Sequence, residues 1–239
     1  MNASEPLAFP GGVLCDMDGL LLDSERLARD AFVRACGDLG WPADLAAYHL
    51  CIGSTYRQTE EILRRAYGPE FPYEAIDERW SSHYHARLAE GPVPVKPGAV
   101  ALLECLAARG VPVVLVTSTR RPTAEQKLAA TGLLAFFERL VCGGETARGK
   151  PHPDPYLAAA GALSLAPARC WAVEDSANGV RSAHGAGCTV FQVPDLVAPT
   201  TEIRELGHRI VATLDDVRGA LEKSGALEKS GAPEQRGTP

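Results

Sequence analysis

The run Val111-Pro112-Val113-Val114-Leu115-Val116 is apolar at every position, so neither face of the strand it forms can be left in water. A run of this kind belongs inside a parallel sheet covered on both sides. Comparable short runs occur at Gly12-Val13-Leu14-Cys15, Cys170-Trp171-Ala172-Val173 and Thr189-Val190-Phe191-Gln192-Val193, with weaker ones over Arg139 to Cys142 and Arg209 to Ala212. Between them, helical segments are predicted over Ala99 to Arg109, Pro122 to Thr131, Asp154 to Leu163, Ala177 to Gly185 and Leu214 to Leu221. Strands alternating with helices predict an α/β fold with a Rossmann-like, doubly wound parallel sheet.

One stretch breaks the rhythm. Residues 24–92 contain no convincing strand, and helical spacing is read over Glu25 to Leu39, Asp44 to Leu50, Tyr56 to Tyr67 and Tyr73 to Glu90. We read 24–92 as an inserted all-helical subdomain, and 11–23 with 93–218 as the α/β core. Gly91-Pro92-Val93-Pro94-Val95-Lys96-Pro97-Gly98 is the stiff return linker, and the hinge is placed around Leu20 to Ser24 and Gly91 to Lys96. Residues 219–239 carry the tandem repeat Gly-Ala-Leu-Glu-Lys-Ser and few apolar side chains, so an extended or disordered tail is expected there.

Composition narrows the partners. The 239 residues are 46% hydrophobic and 23% charged, enough for a sizeable core, and the formal charge of −6 argues against general nucleic-acid binding. No apolar run reaches a membrane span, and Met1 to Pro6 have neither the basic nor the apolar region of a signal peptide. The seven cysteines form no C-x-x-C pair; we expect reduced thiols and a cytoplasmic, monomeric protein.

Polar residues stand where the apolar runs stop. Asp16-Met17-Asp18-Gly19 follows the first run, Thr117-Ser118-Thr119 the second and Glu174-Asp175-Ser176 the third, while Lys150 lies in the loop Gly149-Lys150-Pro151. Parallel strand ends share one edge, the edge at which open α/β sheets bind ligands. Asp16 and Asp18 repel each other, so either a cation lies between them or one holds a proton; a plain acidic turn is the alternative. Carboxylates from two strand ends suit a hard divalent ion of the magnesium type. A lysine, a hydroxyl and backbone N–H groups suit phosphate oxygens. Together they suit phosphoryl transfer.

The ordered set DMDGLLLDSE, a strand ending in T-S-T, G-K-P-H-P-D-P-Y and V-E-D-S-A-N-G-V resembles the haloacid dehalogenase superfamily of phosphohydrolases across residues 11–212. The helical insertion resembles that family's cap, as in the β-phosphoglucomutase-like and pseudouridine-5′-phosphatase-like branch. The resemblance implies a Mg²⁺-dependent phosphomonoester hydrolase. Its substrate would be a small phosphorylated metabolite, a sugar phosphate or nucleoside monophosphate, cleaved through an aspartyl-phosphate. It makes Asp16 the nucleophile and Asp18 the general acid, then the base. Thr117 and the Ser118 backbone would bind phosphate, and Lys150 would screen nucleophile from phosphate. Asp175, the Asp16 carboxylate and the Asp18 carbonyl would hold Mg²⁺, with Glu174 in or beside the metal shell.

Single residues weigh against neighbouring chemistries. Family dehalogenases lack the second acid, present here as Asp18, and phosphonatases use a cap lysine, of which residues 24–92 have none. Mutases carry a cap histidine where this chain has Ala28; a phosphosugar mutase stays as an alternative, as does a phosphosugar-binding protein of low turnover. Pro151 spoils a P-loop reading of Gly144 to Lys150, and Leu20 spoils an EF-hand. Substrate choice is expected from the cap, with Arg57 as candidate and Arg26 and Arg29 behind it; His83 and His85 do not share a helix face, and His152 is left without a role.

Overall fold

The structure is a computed structural model describing residues 7–54 and 56–230, the stretch 226–230 as backbone alone. The expectations placed on the N-terminal six residues and on 231–239 lie outside the described residues. Strands β1 (Gly12–Cys15), β2 (Val113–Val116), β3 (Arg139–Val141), β4 (Cys170–Glu174), β5 (Thr189–Gln192) and β6 (Arg209–Ile210) form a sheet in the order β3-β2-β1-β4-β5-β6. Every pairing is parallel. The doubly wound α/β fold is as the sequence predicts.

The period-two pleat explains why β1, β2 and β4 as far as Val173 are apolar at every position. Val13, Cys15, Val113, Leu115, Trp171 and Val173 point into one apolar layer, and Leu14, Val114, Val116 and Ala172 into the other. The first layer is closed by α5 (Ala99–Ala108) and α10 (Leu214–Ser230), the second by α7 (Asp154–Ala162) and α8 (Ala177–Ala186). Helix α8 starts where Ser176 accepts a bond from the Gly179 N–H and stops at Gly187, whose φ of 88° a side chain would resist. The remaining helix on the sheet's rim, α6 (Arg121–Ala130), follows β2, and a single turn, α9 (Thr201–Arg204), lies after β5.

Between β1 and β2 come α1 (Ser24–Asp38), α2 (Leu45–Cys51), α3 (Tyr56–Tyr67) and α4 (Tyr73–Glu90), built around their own apolar cluster. Its centre is aromatic: Phe32 meets Trp80 edge-on at 5.1 Å, and Tyr67 stacks on Phe71 at 4.2 Å. The outgoing and returning segments bond to each other, Asp23 N–H to Pro94 C=O at 2.8 Å and Lys96 N–H to Leu21 C=O at 2.9 Å. Core Asp195 ties them further, accepting from Arg26 at 2.9 Å and Lys96 at 2.5 Å.

The expected tail is corrected. Residues 219–230 continue α10, and Leu221 is fully buried in the first apolar layer with Ser224 beside it. Helical spacing explains this: Leu214, Val217, Leu221 and Ser224 fall three and four apart, on one stripe.

Candidate active site

In a sheet of this order the ligand crevice opens where the winding reverses, beyond the carboxyl ends of β1 and β4. Asp16 is the first residue past β1, and its N–H still bonds to Val173 C=O at 3.0 Å. Asp175 is the first past β4. Gly19, at φ 80°, turns the chain between them; a Cβ there would strike the Asp175 carboxylate. A Cβ at Gly179 would overlap Glu174, so both glycines admit close approach of an acid.

Lys150 reaches into this corner from 134 residues away. Its buried ammonium donates to Asp16 Oδ1 at 2.6 Å, Glu174 Oε1 at 2.5 Å and Val116 C=O at 2.8 Å, so all three donors are used. Glu174, with no exposed surface, also accepts from Tyr156 O–H at 2.6 Å and from the Asp175 N–H at 3.2 Å. Asp175 has no side-chain hydrogen bond among the described residues, and one oxygen from each of Asp16, Glu174 and Asp175 lies within 4.8 Å of the others. Burial pushes the Asp16 carboxyl well up, against the pull of Lys150. Asp175 is pushed well up by burial and then by Asp16 and Glu174. One ammonium among three acids leaves the corner short of positive charge.

Asp18 is balanced differently. Its carboxylate accepts from Ser24 Oγ at 2.5 Å, Thr119 Oγ1 at 2.6 Å, Lys127 Nζ at 2.7 Å and Thr117 Oγ1 at 3.4 Å. Burial works to raise it, but Lys127 and the hydroxyls prevail and hold it below the ordinary carboxylate range. Lys127, held protonated by Asp18 despite burial, also lies 5.1 Å from the ring centre of Tyr84 on α4. These groups floor a cavity of about 380 Å³ whose far wall is the helical insertion.

The fold thus brings Asp16, Asp18, Thr117, Ser118, Lys150 and Asp175 to one cavity, with Glu174 directly beneath it. Arg57 does not join them. Its side chain is 88% exposed, pairs with Glu61 at 3.4 Å and lies outside the cavity wall, because α3 turns its Thr59–Leu63 face inward instead. Arg26 serves the linker, Arg29 pairs with Asp30, His83 pairs with Asp38, and His85 reaches the cavity. His152 meets Ser182 through its carbonyl.

Sequence reasoning missed Lys127, Thr119 and Ser24. Lys127 had a readable signal: it shares the buried stripe of α6 with Ala124 and Leu128, and a lysine on an apolar stripe requires a buried anion.

Comparison with known proteins agrees with this geometry. Hexitol phosphatase A of Escherichia coli (strain K12) is 35% identical over 196 residues, covering 82% of this chain and 88% of that protein. A probable pseudouridine-5′-phosphatase of Drosophila melanogaster is 33% identical over 213 residues, covering 85% and 89%. The crystal structure of CbbY from Rhodobacter sphaeroides in complex with xylulose-1,5-bisphosphate superposes with a TM-score of 0.72 at 27% identity, covering 86% of this chain and 95% of that one. A family model of haloacid dehalogenase-like hydrolases matches residues 11–187. The chain is a hydrolase belonging to the haloacid dehalogenase-like family.

Proposed function

We propose that this hydrolase is a Mg²⁺-dependent phosphatase of small phosphorylated metabolites, sugar phosphates or nucleoside monophosphates, and that the helical insertion is its cap. The observation that carries this reading is the Lys150 ammonium seated between Asp16 and Glu174 at the closed end of the cavity, with the Asp175 carboxylate, unpaired among the described residues, beside it. Asp16 has one oxygen on Lys150, and its other oxygen is without a partner among the described residues. That arrangement leaves a lone pair for attack on phosphorus while Lys150 offsets the charge of an approaching phosphate.

The residues fit a divalent ion on the same ground. Asp16 and Asp175 are buried, short of counter-charge and pushed toward the protonated form, as expected of carboxylates shaped for a cation. Asp16, Asp175 and the Asp18 carbonyl would hold Mg²⁺. Glu174 would stay beside the shell, its oxygens committed to Lys150, Tyr156 and the Asp175 N–H. A bound Mg²⁺ would neutralise phosphate oxygens and fix their orientation.

The chemistry then balances on two carboxylates. Asp16 attacks phosphorus, the bond from phosphorus to the ester oxygen breaks, and Asp18 delivers its proton to the departing alkoxide. Asp18, now ionised, takes a proton from water as that water attacks the phosphorus of aspartyl-phosphate, and the bond to Asp16 breaks. Lys127, Ser24 and Thr119 stabilise the ionised form needed in this second half, and Thr117 with Ser118 receives phosphate oxygens. Entering the first half with Asp18 protonated requires those bonds to loosen when substrate binds, which a closing cap carrying Tyr84 can do.

A phosphate-release screen over sugar, nucleoside and glycolytic phosphates tests the proposal. We expect release that requires Mg²⁺ and drops about 10³-fold or more in Asp16→Asn. Release surviving that substitution, or isomerisation needing a bisphosphate activator, would overturn it.

A further inference from the structure

The floor of the cavity recognises only phosphate and metal, so selectivity rests with the opposite wall. Helix α4 presents Tyr73, Asp77, Trp80, Ser81 and Tyr84 to the cavity, spaced four, three, one and three apart along one helical stripe. Tyr56 of α3 adds a ring 5.5 Å from Tyr73 and is 58% exposed. An apolar, aromatic wall with a few polar groups is the ordinary make-up of a small-ligand pocket.

The charges on that wall are one-sided. Asp77 and Glu25 are carboxylates, and Asp77 makes no hydrogen bond or ion pair among the described residues. Only Lys127, Lys150 and His85 carry nitrogen cations or potential cations in the described lining, and both lysines are spent on floor carboxylates. Arg26, Arg29, Arg57, Arg79 and Arg120 each adjoin a lining residue in sequence but lie outside the lining, Arg26 held by Asp23 and Asp195 and Arg29 by Asp30. A substrate carrying a second phosphoryl group would set two negative charges against Asp77 with no arginine or lysine free to receive them, a repulsion that acts as discrimination.

Resting on the phosphatase reading above, we propose that the cap wall selects monophosphates with an uncharged or amine-bearing polyhydroxy part. That part would lie on Tyr56 and Trp80, with Tyr73 buried behind Tyr56 and Asp77 accepting from its O–H or N–H groups. The wall excludes bisphosphates. This separates the chain from its relative CbbY, which was crystallised with a bisphosphate. Asp77 is then the residue that sets the preference, because a carboxylate accepts hydrogen bonds from a hydroxyl or an ammonium but repels a phosphate.

The test compares glucosamine-6-phosphate, glucose-6-phosphate and fructose-1,6-bisphosphate by phosphate release from the wild type, and by calorimetric binding to the Asp16→Asn variant. Expected is an order in which the amine is equal to or better than the neutral sugar, with the bisphosphate at least about ten-fold poorer in kcat/KM and Kd, a gap of about 1.4 kcal/mol. Asp77→Asn should narrow the gap between amine and bisphosphate, and Asp77→Lys should favour the bisphosphate. Bisphosphate matching or exceeding the monophosphates, or ratios unmoved in both Asp77 variants, would overturn the inference while Mg²⁺-dependent release kept the phosphatase reading. Absence of release with the order intact in binding would do the reverse, sinking the phosphatase reading and leaving the wall's selectivity in place.

Discussion

The two halves of the cavity are built on opposite economies of charge. On the sheet side, buried Lys150 is locked to Asp16 and Glu174, and buried Lys127 to Asp18, through distances of 2.5–2.7 Å. On the helical side, Asp77 stands without a partner among the described residues and Tyr56 is more than half exposed. A buried charge needs a compensating neighbour, which Asp16, Asp18 and Glu174 have and Asp175 lacks among the described residues, whereas a group awaiting substrate keeps its valences open. The contrast separates the half that does chemistry from the half that chooses what receives it, and it can be tested by disturbing each side.

Lys150→Met disturbs the sheet side most. It leaves Glu174 and Asp16 buried beside each other without their cation, and loss of about 3–5 kcal/mol in urea unfolding is expected together with loss of turnover. If Lys150→Met melted as the wild type does, the sheet-side charges would not be interdependent and the contrast would fail. Leu221→Ala asks whether α10 belongs to the same rigid half; its side chain is fully buried, and about 2–4 kcal/mol of lost stability is expected with kcat/KM little changed where the fold survives.

Lys127→Met lies on the seam, since Lys127 touches Asp18 of the core and Tyr84 of the insertion. Removing the ammonium lets burial raise the Asp18 carboxyl, so the acid limb of the kcat–pH profile should move to higher pH. A fall of about 10²-fold in kcat with a smaller change in KM is expected at neutral pH. A KM effect alone would assign Lys127 to substrate binding instead.

The legible and illegible parts of the molecule divide along the same line. Strand runs such as Val113 to Val116 announce burial on both faces, and polar groups at strand ends must then share an edge, so Asp16, Thr117, Lys150 and Asp175 were readable in order. Arg57 was not, because an arginine on a helix reads the same whether it faces a cavity or water, and α3 buries the face carrying Thr59 and Leu63 instead. The repeat in 219–230 looked too polar to fold alone; its helix is made by docking on α5, a tertiary effect that local composition does not reveal. Lys127 fell between these cases, visible only when a stripe was asked what its one charge does.

The finest division of the two halves is set at Glu25, where the insertion begins. Its carboxyl is pushed up to about 7, first by burial, then by the negative charge of Asp18, with Tyr48 O–H 3.3 Å from Oε2. A folded value above the ordinary 4.5 means the folded chain binds this proton more tightly than the unfolded chain does. The stability it contributes is therefore complete below pH 4.5 and is lost as pH rises through about 7. Because the residue keeps partial solvent access, the change across that interval should be about 1–2 kcal/mol rather than the full equivalent of the shift. Glu25→Gln removes the titration, so thermal melts between pH 5 and 7.5 should show a flatter slope in the variant than in the wild type. Parallel slopes would mean that Glu25 is solvated, and the boundary between the compensated and the waiting half would then lie on the core side of α1.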